Sequence, residues 1–256
     1  MLKSLELSQK IAQRHWSVYK KDLLANLLPT VSDPIFFILT FGLGLGTYIQ
    51  KIDEVNYINY VAPGLVVSAA LYTSFFEMSY NTFIRYKYEK IYQAILTTPI
   101  SSFEIALGEY IWVITKGCIL SLIVSFIFYF IKIIPLKLLL AAPFLGALTA
   151  ISCGSLAFIS SSILTNINQF QTIFALIVNP LFFFSGIFFP VDDMPNWLNF
   201  FLQASPVYHC VQISQSLSWK IINTEEILYH IFCILLFSGI FVPISFFLFK
   251  KKMINS

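Results

Sequence analysis

Charged residues are scarce in this sequence of 256 residues. Asp, Glu, Lys and Arg together make up 11% of it, whereas apolar residues make up 57%. A soluble domain usually carries about 25% charged residues, because its surface faces water. The low charge and the mean hydropathy of +0.77 therefore exclude an ordinary soluble domain. The sequence predicts an integral membrane protein whose outer surface faces lipid.

Metal-binding and nucleotide-binding motifs are also missing from the sequence. The four cysteines stand singly at positions 118, 153, 210 and 233, so neither a zinc site nor a disulfide framework is indicated. No Walker A motif is present, which means that the chain does not bind ATP by that route. The net charge of +3 is small. We expect no metal ion, no cofactor and no nucleic-acid partner on this chain.

Long apolar runs are what the sequence does have, and six of them reach the roughly 20 residues that a membrane crossing takes. They lie at 23–49, 60–83, 105–131, 138–164, 170–189 and 227–249. Pro29, Asp33 and Pro34 interrupt the first, so we expect a kink or packing within the protein there. Eleven Lys and Arg residues fall on one side of this arrangement and four on the other. This bias places both termini in the cytoplasm.

The segment 1–22 is predicted to be an amphipathic helix that precedes a transmembrane domain at 23–256. At 100° per residue, four basic residues share one line: Lys3, Lys10, Arg14 and Lys21. Its apolar residues cluster on another arc: Leu2, Leu5, Ala12, Trp16 and Tyr19. Such a helix lies flat at the cytosolic interface, with its basic line toward anionic headgroups. A loose basic leader that only sets the topology is the alternative.

Two connections between the spans have unusual compositions. The cytosolic one, RYKYEKIYQAILTTPISSFE (85–104), mixes basic residues with tyrosines before Pro99 ends any helix. It is either a functional segment or a basic loop that sets topology. Residues 190–226 contain three prolines and several aromatic residues, too broken to span and too aromatic to be a free loop. We expect a re-entrant pair of short helices at 190–212, before the last span. The fold class is therefore all-α and polytopic.

The second and third spans carry charges within apolar surroundings. Glu77, Glu109 and Lys116 each need a partner there, and Trp112 shares the face of Glu109 and Lys116. An ion pair that locks the helices and a proton or substrate relay are both open interpretations. In the first span, Gly42 and Gly46 form a GxxxG pattern, which favours close approach of another helix, from the same chain or from a second subunit.

No catalytic set is convincing. Gly154-Ser155 could be combined with His209 or His230, but a GxSxG context is missing. The pair Asp192-Asp193 is more typical of a solvated helix start than of a metal site. We therefore do not expect an enzyme.

Several stretches carry a resemblance to a known family. They are SDPIFFILTFGLGLG (32–46), YVAPGL (60–65), ILTTPISSFEIALGE (95–109) and FFFSGIFFPVDDMPNWL (182–198) with SPVYH (205–209). These resemble ABC-2 type permeases, the membrane subunits of ATP-driven exporters. FFEMSYNTFIR (75–85) and LGEYIWVITK (107–116) are similar to the nodulation-type (NodJ-like) lipo-oligosaccharide exporters within that family. Gln215 departs from the pattern, since relatives commonly carry Arg there.

The resemblance implies an export permease for a lipid-linked glycan, a lipid or a hydrophobic small molecule. It implies a dimer of permeases with two copies of a separate ATPase subunit, which binds the ATP and Mg. Segment 85–104 would be the coupling loop that docks on the ATPase. The docking residues would be Arg85, Lys87, Glu89, Lys90, Ile91, Ile95, Leu96 and Pro99. A membrane-embedded enzyme and a non-transporting scaffold are the alternatives.

Overall fold

The computed structural model describes residues 2–49, 51–52, 54–191, 195–219 and 223–254, and α-helices account for most of them. In chain order the helices are α1 (Leu2–Tyr19), α2 (Leu23–Phe37), α3 (Tyr57–Phe76), α4 (Thr82–Lys87), α5 (Ile91–Leu96), α6 (Ser102–Phe130), α7 (Leu136–Ile163), α8 (Gln169–Ile173), α9 (Asn179–Phe183), α10 (Asn196–Gln203), α11 (Pro206–Ser216) and α12 (Thr224–Ile254). A short antiparallel ribbon, β1 (Lys51–Ile52) and β2 (Val55–Asn56), pairs Lys51 with Asn56 before α3.

Within these ranges, five continuous helical stretches are long and apolar enough to cross a membrane. They are Lys3–Thr47, Tyr57–Lys87, Ser102–Phe130, Leu136–Ile163 and Thr224–Ile254. A polytopic all-α architecture is thus confirmed. The fifth predicted span, 170–189, corresponds to the shorter helix Gln169–Phe183. At 1.5 Å per residue this helix is about 22 Å long, less than the ~30 Å hydrocarbon core. A sixth crossing therefore stays a prediction.

Three π-helical turns make several of these stretches continuous. Ile38–Gly44 extends α2, Glu77–Asn81 joins α3 to α4, and Phe174–Val178 joins α8 to α9. Helix α2 runs through Pro29 and Pro34 before it reaches the first of these turns. The second turn carries the span beyond residue 83, where the sequence predicts its end. Such turns are frequent at functional sites.

Helix α3 lies at the centre of the molecule and packs against α6, α7 and α11. Nearly all its residues are buried, from Tyr57 through Phe75, because small and apolar side chains occupy every face. By contrast, α2 and α12 expose wide apolar faces, including Leu24, Leu28, Phe232 and Leu236. These outer faces suit contact with lipid or with another subunit.

The N-terminal helix α1 packs along α6. Its buried stripe consists of Ser8, Ile11, His15 and Tyr19, while Leu5 and Trp16 stay about 40% exposed. At Gly108 of α6 an added Cβ would lie 2.7 Å from the Ile11 Cβ, so only glycine permits this approach. The predicted helix is present. Besides its basic line and its apolar arc, it has a buried stripe that packs against α6.

The predicted outer region contains the two short helices α10 and α11. Helix α11 is almost completely buried, whereas α10 exposes Trp197, Phe200 and Phe201. Re-entry of this pair into the membrane stays a prediction. Asp192 and Asp193, interpreted above as a solvated turn, lie outside the described residues.

Candidate functional site

A buried cluster of charged side chains joins the second and third spans. Glu77, in the π-helical turn after α3, is 2% exposed, and Glu109 of α6 is completely buried. Because the turn is wide, Glu77, Asn81 and Arg85 follow one another at intervals of four residues on the same side of the helix. This arrangement aims the arginine of the second span at both carboxylates.

Arg85 bridges the two carboxylates. Its Nη1 donates to the Oε2 of Glu109 at 2.8 Å, and its Nη2 donates to the Oε1 of Glu77. The guanidinium suits this position because its planar fork presents several donors in fixed directions. Arg85, assigned above to the surface of the coupling loop, is therefore corrected to a member of the buried cluster. Its side chain is 14% exposed.

Lys116 completes the balance of charge at Glu77. Its Nζ donates to the Oε2 of Glu77 at 2.7 Å, and the Asn81 amide donates to the same oxygen at 3.0 Å. The partner that the sequence requires for Glu77 and for Lys116 is thus supplied by this contact. Trp112 is also buried nearby, but its Nε1 has no hydrogen-bond partner within the described part of the chain. Two carboxylates and two cations thus offset one another in a region where an unpaired charge costs several kcal/mol.

Glu109 also connects the cluster to two segments outside these spans. The Nε2 of His15 in α1 donates to the Oε1 of Glu109 at 2.8 Å. The hydroxyl of Tyr92 in α5 donates to the same oxygen at 2.7 Å. Burial, together with the charge of Glu109, raises the pKa of Tyr92 well above its usual value, so its hydroxyl keeps the proton that it donates. One carboxylate therefore links the N-terminal helix, the third span and the predicted coupling loop.

The coupling loop is folded against its own protein. Ile91, Ile95 and Leu96 are partly buried and pack on the apolar core around Tyr92. The resemblance assigns these three residues to docking on the ATPase, and the chain itself covers part of their apolar surface. The exposed residues of the loop are Lys87, Tyr88, Glu89, Lys90, Ala94, Thr97, Thr98, Pro99, Ser101 and Phe103.

The ends of the loop are fixed by hydrogen bonds. Lys87 donates to the backbone oxygen of Thr165, just after α7. At the other end, the Glu104 carboxylate accepts from the backbone N–H and the hydroxyl of Ser101, at 2.6 Å each. This capping box begins α6 immediately after Pro99. Ser4 of α1 also donates to Glu104, at 3.1 Å.

The GxxxG pattern of the first span contacts the same chain. A Cβ added at Gly42 would lie 2.7 Å from the Cγ1 of Ile58, at the start of α3. At Gly46 the nearest side-chain atom is the Cδ1 of Tyr57, at 3.9 Å. The close approach that these glycines permit is thus intramolecular. Among the described residues, no three His, Cys, Asp or Glu side chains gather as a metal site would require.

Comparison with known proteins identifies the family. Residues 7–218 match the ABC-2 type transporter family. The chain belongs to this family. Nodulation protein J of Rhizobium meliloti (strain 1021) is 30% identical over 205 residues, which are 78% of this chain and 77% of the relative. Nodulation protein J of Rhizobium leguminosarum bv. viciae is 27% identical over 202 residues, 78% of each chain.

The match confirms the resemblance found in the sequence. The protein is a multi-pass ABC-2 permease, the membrane subunit of an ABC transporter, and an ATPase subunit is the general kind of partner of such permeases. The ion cluster of this permease includes three groups that the sequence did not assign to it: His15, Arg85 and Tyr92. A partial signal exists for His15, because Ser8, Ile11, His15 and Tyr19 recur at helical spacing.

Proposed function

We propose that this permease exports a lipid-linked glycan, a lipid or a hydrophobic small molecule across the cytoplasmic membrane. It acts as a dimer with two ATPase subunits, with both termini in the cytosol. The family match and the similarity to nodulation protein J support this function. The sixth crossing consists of Gln169–Phe183 and the residues that follow it. The chain supplies no catalytic group, and ATP and Mg belong to the partner.

The observation that carries the coupling mechanism is the hydrogen bond from Tyr92 to Glu109. The ATPase changes shape as it hydrolyses ATP, so its work reaches the permease through a cytosolic contact. A loop that docks on the ATPase and also holds a carboxylate of the third span links these two events. Arg85 extends the link to the second span, and His15 extends it to α1. Coupling follows when the loop contact differs in free energy between two permease states.

A cavity beside the ion cluster supports an amphipathic substrate. It has a volume of about 420 Å³ and lies between α2 and α3, beside the π-helical turn at Phe174. Phe37, Tyr72, Phe76 and Phe174 form its aromatic walls, and Asp33 and Lys116 provide charged groups. Apolar walls with a few polar groups are typical of ligand sites. The cavity therefore suits a substrate with an apolar body and a polar end.

Substitution of Tyr92 by phenylalanine tests the coupling link. Tyr92→Phe removes one donor to Glu109 and keeps the ring in its buried position. We expect it to retain the ATPase subunit on co-purification but to lower substrate-stimulated ATP hydrolysis and export in lipid vesicles about tenfold, the effect of one lost hydrogen bond to a charged group. Tyr88→Phe, at an exposed tyrosine of the same loop, is the matched control and should behave as the parent. Parental transport by Tyr92→Phe would place the coupling contact elsewhere.

A further inference from the structure

A second cavity lies between α1 and the cytosolic ends of the second and third spans. Its volume is about 220 Å³, and it is partly open to the outside. Tyr19, Trp112, Arg14 and Lys116 are among the residues that line it. It meets the larger cavity at Lys116, Asn26 and Asn81, which line both.

Hydrogen-bond donors are in surplus around this cavity. The Nε1 of Trp112 and the hydroxyl of Tyr19 have no hydrogen-bond partner within the described part of the chain, although Trp112 is 3% and Tyr19 is 7% exposed. Buried polar groups are normally paired, because each unpaired group costs about 1–3 kcal/mol. Two such groups beside one cavity indicate that a ligand supplies the missing acceptor.

Two carboxylates line the cavity, Glu77 and Glu89, against three permanent cations, Arg14, Arg85 and Lys116. Glu77 receives hydrogen bonds from Arg85, Lys116 and Asn81, so its carboxylate is satisfied. Lys116 donates one of its three protons to Glu77, and its Nζ lies 4.9 Å from the centre of the Tyr19 ring. Arg14 is exposed at the rim, where no ion pair to another described residue forms. Glu89 is exposed to the outside. The lining therefore keeps a surplus of positive charge and two unpaired donors, and the ligand that matches them is an anion.

The position of the cavity beside the amphipathic helix α1 indicates that the anion is a lipid headgroup. Arg14 belongs to the basic line of α1, with Lys10 one turn before it. Trp16 and Tyr19 are aromatic residues of the kind enriched at membrane interfaces. A basic amphipathic helix attracts anionic headgroups to such an interface, by about 1 kcal/mol for each Lys or Arg.

We propose that this cavity binds the phosphate headgroup of an anionic phospholipid from the surrounding bilayer. The phosphate oxygens accept hydrogen bonds from Trp112 and Tyr19 and pair with Arg14 and Lys116. The acyl chains leave along the exposed apolar side of α1. A headgroup held there fixes α1 against α6, next to the contact between His15 and Glu109.

The test is lipid binding to the full-length permease with its ATPase partner, purified in a neutral detergent and followed by native mass spectrometry. Phosphatidylglycerol and phosphatidylcholine are titrated separately. We expect phosphatidylglycerol to bind at least tenfold more tightly. Trp112→Phe and Tyr19→Phe each keep an aromatic ring but remove one donor, and should weaken that binding about tenfold. Arg14→Gln should weaken it about fivefold.

Two matched controls accompany these variants. Trp16→Phe alters an aromatic residue of α1 that does not line the cavity, and Lys10→Gln alters the same basic line outside it. Both should bind phosphatidylglycerol within twofold of the parent. Size-exclusion profiles equal to that of the parent establish that each variant is folded.

Other results overturn the proposal. Equal binding of the two lipids, or equal losses in Lys10→Gln and Arg14→Gln with none in Trp112→Phe, would reduce the site to a non-specific basic surface. Inorganic phosphate that binds with the same dependence on Trp112 and displaces the lipid would assign the site to a soluble anion instead.

Discussion

At the scale of single residues, the central feature is a carboxylate that accepts hydrogen bonds from three segments of the chain. Glu109 accepts hydrogen bonds from Arg85, His15 and Tyr92. Each donor belongs to a different helix, so a shift of any one of them changes the electrostatic surroundings of the same group. A buried charge tolerates little change in its partners, because its desolvation must be offset in every state.

Removal of Glu77 tests the balance of charge in the cluster. Glu77→Gln leaves Lys116 buried without its carboxylate, and breaking a buried pair destabilises a protein by about 3–5 kcal/mol. We expect a clear fall in the thermal unfolding midpoint, measured in detergent by intrinsic fluorescence. Addition of Lys116→Met should restore part of the unfolding midpoint, because the double variant no longer contains the unpaired cation of Lys116. A single variant as stable as the parent would contradict the role of the pair.

The residues of the cluster were predictable from the sequence only in part. Glu77 and Lys116 could be paired, because both are charges at similar depth on neighbouring spans. Arg85 could not be assigned, since the apolar run ends at residue 83, whereas the π-helical turn carries the helix on to Lys87. His15 and Tyr92 lie 94 and 17 residues from Glu109, and contacts of this kind depend on tertiary packing that no local periodicity records.

At the scale of elements, two short helices determine how the cytosolic side is organised. Helix α5 is held by Tyr92, and its apolar residues face the core, so its exposed surface consists of Ala94 and the neighbouring polar positions. This surface, rather than Leu96, is the part of the loop that remains for a docking partner. The existence of the loop could be predicted from its composition, whereas the direction that it faces could not.

An aspartate at Ala94 tests docking. Ala94 is exposed on α5, so Ala94→Asp should fold normally while it places a charge in the contact with the ATPase. We expect loss of ATPase co-purification and of export. Asn168→Asp, at an exposed position just before α8, is the control and should retain both. An Ala94→Asp complex that remains intact and exports normally would contradict docking through α5.

The contact between α1 and α6 is tested at Gly108. Gly108→Ala places a Cβ 2.9 Å from the backbone oxygen of Ser8 as well as against Ile11, so α1 must move away. We expect a lower unfolding midpoint and weaker transport, because His15 loses its position at Glu109. At Gly239 of α12 an added Cβ meets nothing within 4 Å, so Gly239→Ala should be neutral or up to about 1 kcal/mol stabilising. Equal effects of the two substitutions would contradict a specific contact.

At the scale of the whole molecule, other helices of the chain surround the second span, whereas the first and last spans lie at the periphery. Length and hydropathy predict six spans, and five of them correspond to helices that are long and apolar enough to cross a membrane within the described residues. The helix at Gln169–Phe183 is the exception, since its apolar run continues past residue 183 as irregular chain, which is buried at 185–188 and exposed at Phe184 and Phe189. Hydropathy does not distinguish such a segment from a helix.

Labelling of single cysteines tests the topology. In a background without the four native cysteines, Lys90→Cys and Asn166→Cys should react with a membrane-impermeant maleimide only from the cytosolic side. Lys137→Cys and Trp197→Cys should react only from the outside, and all four positions are exposed on the protein surface. Reaction of Trp197→Cys from the cytosolic side would show that the chain crosses the membrane five times rather than six.

The composition of the ion cluster also bears on how the chain enters the membrane. The second span contributes one carboxylate and one cation to it, Glu77 and Arg85, and the third span likewise contributes Glu109 and Lys116. Each span therefore presents a net neutral set of cluster charges to the translocon, which lowers the cost of its insertion. The Lys116–Glu77 and Arg85–Glu109 pairs join the two spans, while Arg85 also pairs with Glu77 of its own span. The same four side chains thus bear both on the insertion of each span and on the contact between the two spans.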